Sequence, residues 1–239
     1  MNGIREKSGT TQIRLGFVFG VTGLAIAAVW FVGLCVTALT TPGQNHLDHY
    51  AAADRALSAS GARPDVVFIG DSITERWPSH GASSWRAAWL NRGIGGERSD
   101  QIRARFGQDV VSLHPLSVVI LAGTNDAWVN RPDLPLEATE RDIREMADQA
   151  RAAGIHVVIA SVPPIGPKVT ADGLPMPANV NQRIKAQNAW EKAYAAQHGD
   201  RFADYWSVVR PDLTIDGVHP SADGYAEMGP VAERAITAR

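Results

Sequence analysis

Four short blocks in this 239-residue chain carry residue types that chemistry can use. Gly70-Asp71-Ser72-Ile73 follows an apolar run, DVVFI, and its glycine permits a tight turn where a strand ends. A serine just past that turn sits at the strand rim. It is a weak nucleophile that needs an adjacent base, or else it caps the helix that follows. Asn91-Arg92-Gly93-Ile94-Gly95-Gly96 puts three glycines in four positions. Backbone N–H groups there can approach a ligand and stabilise a developing oxyanion, or the block is a flexible turn. No P-loop Lys-Ser/Thr follows, which disfavours nucleotide binding. Gly123-Thr124-Asn125-Asp126 follows a second apolar run, SVVIL. Its Asn125 amide can donate to the same oxyanion or make an Asx-type turn. Asp216-Gly217-Val218-His219-Pro220 offers a histidine able to take and return the serine proton, with a carboxylate three residues away to fix its tautomer. DG and HP are also ordinary turn dipeptides.

The elements that must position these blocks alternate in period. Short β-branched runs at Asp65–Ile69, Ser117–Leu121 and Ile155–Ala160 are nearly continuous in apolar residues, as strands covered on both faces are. Trp89–Arg92 and Arg201–Tyr205 are weaker strand candidates. Helical patterns occupy Asp100–Phe106, Leu136–Ala153, Ala178–His198 and Ala222–Ala238. Leu136, Ile143, Met146 and Ala150 form one stripe of the second of these, and Gly154 caps its end. Strand–helix alternation predicts one doubly wound, flavodoxin-like α/β domain over residues 64–239. A parallel sheet of about five strands would lie between helices in a three-layer sandwich. Ligands in such sheets bind beyond the carboxyl ends of the strands, where the first and third blocks stand. The Pro-rich stretch 161–177 reads as a long loop walling the site. Trp77, Trp85, Trp89 and Trp128 flank the blocks, either as stacking or acyl-pocket residues or as core.

The four blocks in this order resemble the SGNH/GDSL hydrolase family. IGDSITERW, NRGIGG and AGTND are most similar to the branch that includes the platelet-activating-factor acetylhydrolase catalytic subunits and bacterial esterases. The resemblance covers residue 65 to about 238. It implies Ser72 as nucleophile, His219 as base and Asp216 as its orienting carboxylate. The oxyanion would be held by the backbone N–H groups of Ser72 and Gly96 and by the Asn125 side chain. Glu97 stands where that branch usually carries Asp, which leaves Gly95 as an alternative to Gly96. The implied activity is hydrolysis of short acyl esters of a carbohydrate or lipid through an acyl-enzyme, with no cofactor. An O-acyltransferase of cell-envelope glycans would share the acyl-enzyme. A silent glycan- or lipid-binding module would not need Ser, Asp and His together. The serine is not in a G-x-S-x-G elbow, so the usual lipase fold is not expected, and no His/Asp/Glu set has the spacing of zinc ligands.

Charge and composition narrow the setting. A net charge of −2 gives no electrostatic footprint for nucleic acid. Cys35 is the single cysteine, so no intrachain disulfide or cysteine-held metal site can form. Residues 15–39 contain no charged, amide or histidine side chain. At 1.5 Å per residue such a run exceeds a hydrocarbon core of roughly 30 Å. Arg5, Lys7 and Arg14 precede it and the first charge after it is Asp48, which predicts residues 1–14 in the cytoplasm and the domain outside. The length favours a retained transmembrane helix over a signal cleaved after Ala38, which would release the domain. Leu34 occupies the position before Cys35 where lipidation signals want a small residue. Residues 40–63 read as a linker, with a possible amphipathic helix in LDHYAAADRALSA. His46 and His49 read as solvated side chains, since no further metal ligand is near. The oligomeric state is unread.

Overall fold

A computed structural model describes residues 44–128, 135–166 and 178–238, within a compact unit that begins at Gln44. The expected membrane segment 15–39, Cys35 and most of the Pro-rich loop lie outside the described residues. Among the described residues, no helix is long and apolar enough to cross a membrane.

Five parallel strands form one sheet: β1 (Val66–Gly70), β2 (Trp89–Gly93), β3 (Ser117–Leu121), β4 (His156–Ala160) and β5 (Arg201–Ala203), ordered β2-β1-β3-β4-β5. Period-two alternation divides each central strand between two cores. Val67, Ile69, Val118, Ile120, Val157 and Ile159 face Ile102 and Phe106 of one helix, α4 (Ser99–Asp109), and Ile143 and Met146 of another, α6 (Leu136–Ala152). Val66, Phe68, Val119, Leu121 and Val158 face Trp77 of α3 (Ser72–His80) and Tyr225, Met228 and Ala232 of α8 (Ala222–Thr237). Fully burying each such Val, Ile or Phe stabilises by about 1.5–3 kcal/mol relative to leaving it in water. The result is the three-layer sandwich that the sequence pattern predicts. Two further helices are α5 (Thr124–Trp128), which carries the Asn125 block, and α7 (Val180–His198).

The second core is largely aromatic. Trp77 stacks on Tyr225 with ring centroids 5.4 Å apart and meets Phe68 edge-on at 5.6 Å. Trp85 and Trp89 close around Phe68 at 5.0 and 4.7 Å. Trp77 is therefore core and so is Trp89, with Trp85 packed at its edge; the Trp128 side chain is outside the described set.

The linker expectation for residues 40–63 is corrected over its described part. α1 (Gln44–Leu47) and α2 (Ala51–Ala59) belong to the domain. Asp54 is buried and takes a 2.9 Å bond from Arg92 Nε at the end of β2. Tyr50 donates to the Gly93 carbonyl at 2.6 Å, and burial pushes its hydroxyl up to about 12. The Ala-rich composition concealed these two anchors because each partner lies some forty residues downstream.

Candidate active site

β1 ends at Gly70 and the chain turns into α3 with Asp71 as the N-cap, its Oδ1 accepting the Ile73 N–H at 2.9 Å. The capping role that Ser72 could have held thus belongs to Asp71. Ser72 becomes the first residue of the helix, where its own N–H lies among the groups a helix leaves unpaired. Asp71 is fully buried, and burial pushes its carboxyl up to about 6 against the pull of the Thr124 hydroxyl and the Ile73 N–H.

Ser72 Oγ lies 2.8 Å from His219 Nε2, although 147 residues separate them in sequence. His219 Nδ1 lies 2.6 Å from Asp216 Oδ2. The carboxylate accepts from Nδ1–H, which fixes the tautomer in which Nε2 accepts the serine hydroxyl. Asp216 Oδ1 also accepts the N–H groups of Val218 (3.0 Å) and His219 (2.9 Å), so the block is a turn, and that turn presents the imidazole to Ser72. Desolvation works against the Asp216 charge. The bonds from the His219 backbone, the His219 ring and the Val218 backbone outweigh it and hold the carboxyl at about 2. The turn is braced from the adjacent loop, where Gly166 N–H donates to the Gly217 carbonyl at 2.6 Å.

The glycine block follows β2. A Cβ on Gly95 would stand 3.8 Å from Ser72 Cβ, in van der Waals contact with it, and 2.8 Å from Glu75 Oε2, which places this glycine beside Ser72. Gly96 has φ +79° with open space where a Cβ would be, a backbone state that favours glycine. Asn125 is buried and its Nδ2 donates to the Glu97 carbonyl at 2.8 Å, which sets the amide against the Gly96–Glu97 stretch and leaves its second N–H for another acceptor. Next to it, Asp126 Oδ2 accepts the Ser99 N–H at 3.0 Å and Oδ1 lies 2.6 Å from Ser99 Oγ, a second clasp between the two blocks. The structure joins Ser72, His219 and Asp216 directly, joins Asn125 to the carbonyl of Glu97 beside Gly96, and sets Gly95 next to Ser72, all past the carboxyl ends of β1, β2 and β3.

One correction concerns His46. Its Nδ1 lies 3.0 Å from Glu97 Oε1, so it is a partner of a buried carboxylate rather than a solvated side chain. Among the described residues no group of three or more His, Cys, Asp or Glu could hold a metal ion.

A model of the GDSL-like lipase/acylhydrolase family matches residues 68–227, a span that holds all four blocks. The chain belongs to this family. A GDSL-like lipase from Bacteroides thetaiotaomicron is 34% identical with a TM-score of 0.70, covering 80% of this chain and 96% of that one. An acetylxylan esterase from Geobacillus stearothermophilus shares the fold at 21% identity and a TM-score of 0.57, covering 72% of this chain and 93% of its own. An uncharacterized lipoprotein of Bacillus subtilis is 30% identical over 119 residues, 42% of this chain, and the match spans about half of that relative's length. GDSL-like membership and the site geometry together support a carboxylic ester hydrolase.

Proposed function

We propose that the domain is an extracytoplasmic serine esterase that hydrolyses short acyl esters of a carbohydrate or lipid. The observation that carries this reading is the continuous Asp216–His219–Ser72 hydrogen-bond relay at the carboxyl end of β1. Ser72 Oγ attacks the ester carbonyl while His219 Nε2 takes its proton. The ionised Asp216 stabilises the imidazolium that forms. The Ser72 and Gly96 N–H groups and Asn125 Nδ2 receive the oxyanion. His219 then returns the proton to the leaving alkoxide. Water deacylates the enzyme by the same route, activated by His219, and releases the acid and free Ser72.

The triad and the oxyanion donors supply every proton and charge this sequence needs, so no cofactor is invoked. An acetylxylan esterase among the proteins of this fold makes acetylated sugars a first substrate class to test. The apolar run 15–39, flanked by Arg5, Lys7 and Arg14, supports a retained anchor with the domain outside. The similarity to a lipoprotein supports the same membrane-attached location.

The test is labelling of the full chain with a fluorophosphonate probe, followed by p-nitrophenyl esters of increasing chain length and acetylated xylan. Ser72-dependent labelling with turnover highest on the shortest acyl groups is expected. A folded protein that neither labels nor hydrolyses is a binding module. Turnover that appears only on adding a glycan acceptor makes it an acyltransferase.

A further inference from the structure

Glu97 follows Gly96 directly, its side chain is fully buried, and every oxygen it has is engaged. Oε2 accepts from Arg105 Nε at 2.7 Å, Oε1 lies 3.0 Å from His46 Nδ1, and the backbone carbonyl accepts from Asn125 Nδ2 at 2.8 Å. Arg105 is itself buried in α4 and spreads its fork further. One terminal nitrogen donates to Asp109 Oδ2 at 2.8 Å and the other to the Gly70 carbonyl at 3.0 Å. Gly70 stands two residues before Ser72. A single guanidinium thus ties the backbone entering the nucleophile turn to the carboxylate leaving the glycine block.

Energetics alone does not explain such a cluster. Desolvating a guanidinium and two carboxylates is costly, and well-packed apolar side chains of similar volume are often at least as stable. What apolar packing does not supply is direction. Arg105 fixes three partners at set angles, and Glu97 passes that constraint to Asn125 through its own carbonyl.

We propose that Glu97, clamped between Arg105 and His46, is a positioning residue of the oxyanion hole. It sets the Gly96 peptide and the Asn125 amide at their working distance from Ser72. This inference rests on the esterase reading above. It extends the site to α1, because His46 closes the clamp from outside the segment that carries the four blocks.

The test uses the full chain with Glu97→Gln, Glu97→Asp and His46→Ala. Four quantities are measured: kcat and KM on p-nitrophenyl acetate, affinity for phenylboronic acid, and thermal midpoint. The boronate forms a tetrahedral adduct on Ser72 and so reports the oxyanion donors. Glu97→Gln should lower kcat and boronate affinity together by on the order of 10–10²-fold, as expected for donors displaced by up to about 1 Å, with KM little changed. Glu97→Asp keeps the charge but cannot span Arg105 and His46, and should recover only part of the loss. A folded Glu97→Gln enzyme with wild-type kcat and boronate affinity, whatever its thermal midpoint, overturns the proposal. If both Glu97 variants fail to fold, the half-exposed His46→Ala decides: a several-fold fall in kcat at constant KM supports the clamp, and an unchanged kcat overturns it. Folded wild-type protein with neither turnover nor boronate binding refutes the esterase reading itself, an outcome distinct from a defect confined to the variants.

Discussion

The Asp216–His219 pair is held by bonds that reach no more than three residues along the chain, with one brace from Gly166 N–H to the Gly217 carbonyl, and both side chains are partly open to solvent. On the other flank of Ser72 the bonds that join separate elements reach much further: 28 residues between Asn125 and Glu97, 35 between Arg105 and Gly70, 51 between His46 and Glu97. One flank is a local unit set on the sheet, while the other exists only once the sheet has assembled. Changes in the turn should therefore alter chemistry with less effect on stability than changes in the oxyanion flank.

The largest effect tests whether the flanks meet at one serine. Ser72→Ala and His219→Ala should each cost on the order of 10⁴-fold or more in kcat, and the double variant should be little worse than either single. Additive losses would mean that the two residues do not act as a unit. Asp216→Asn comes next, milder than either and roughly 10³–10⁴-fold, because the amide packs in place but favours the wrong tautomer. Its thermal midpoint at neutral pH should fall, because the stabilising charge is lost, but by less than that of Asn125→Ala, since the Asn oxygen still accepts the Val218 and His219 N–H groups. A larger fall would erase the contrast between the flanks.

Asn125→Ala should lower kcat by roughly 10²–10³-fold. It should also destabilise by about 1–3 kcal/mol, more than the turn variants, since the Glu97 carbonyl loses its donor in a buried setting. Kinetics and denaturant melts on the same preparation check the pairing, and a kinetic defect without a stability defect would show the oxyanion flank to be as autonomous as the turn.

The smallest effect is one of sign. Glu191 of α7 is fully buried, with Oε1 accepting from Gln187 Nε2 at 2.7 Å, and Gln187 Nε2 also donates to the Ala122 carbonyl just before the Asn125 block. Burial pushes this carboxyl up to about 8, whereas an unfolded glutamate ionises near about 4.3. Between those values the folded state holds a proton that the unfolded state has lost, so this group lowers stability as pH rises through the window. Asp216 works oppositely. Its carboxyl lies at about 2 when folded, so its contribution is full above the unfolded value near about 3.9 and is lost as pH falls toward about 2. Glu191→Gln should therefore raise the thermal midpoint more at pH 8 than at pH 5. Parallel curves for variant and wild type would remove Glu191 from the account.

These same distances explain what the sequence discloses. The strands at Val66, Ser117 and His156, the long helices and the triad are local signals, legible as apolar runs, stripes and short blocks. Even the weak candidates at Trp89 and Arg201 are strands. The oxyanion scaffold hides because Glu97 and His46 look like surface residues until their partners are known. One signal was available. Arg105 and Asp109 occupy the same helical stripe as the buried Ile102 and Phe106, and Gln187 and Glu191 share a face with Ile184 and Tyr194. Charged or amide groups on an apolar stripe must find partners inside the fold. That rule flags the residues, and only the fold names the partners.

The aromatic block beneath α3 gives the nucleophile helix an optical signature. Three of the chain's seven tryptophans, Trp77, Trp85 and Trp89, lie in one cluster. Trp77 belongs to the helix that Ser72 begins, with its indole N–H bound to Ser84 Oγ at 2.9 Å. Tyr225, stacked on that indole, donates through its hydroxyl to the Ile73 carbonyl at 2.8 Å. A water-excluded indole emits at shorter wavelength than a hydrated one, and neighbouring rings exchange excitation with it. The buried, blue-shifted part of the intrinsic fluorescence of this chain therefore includes a report on the half of the sandwich that carries the serine. Loosening of that helix would redden the emission before acyl turnover is assayed at all.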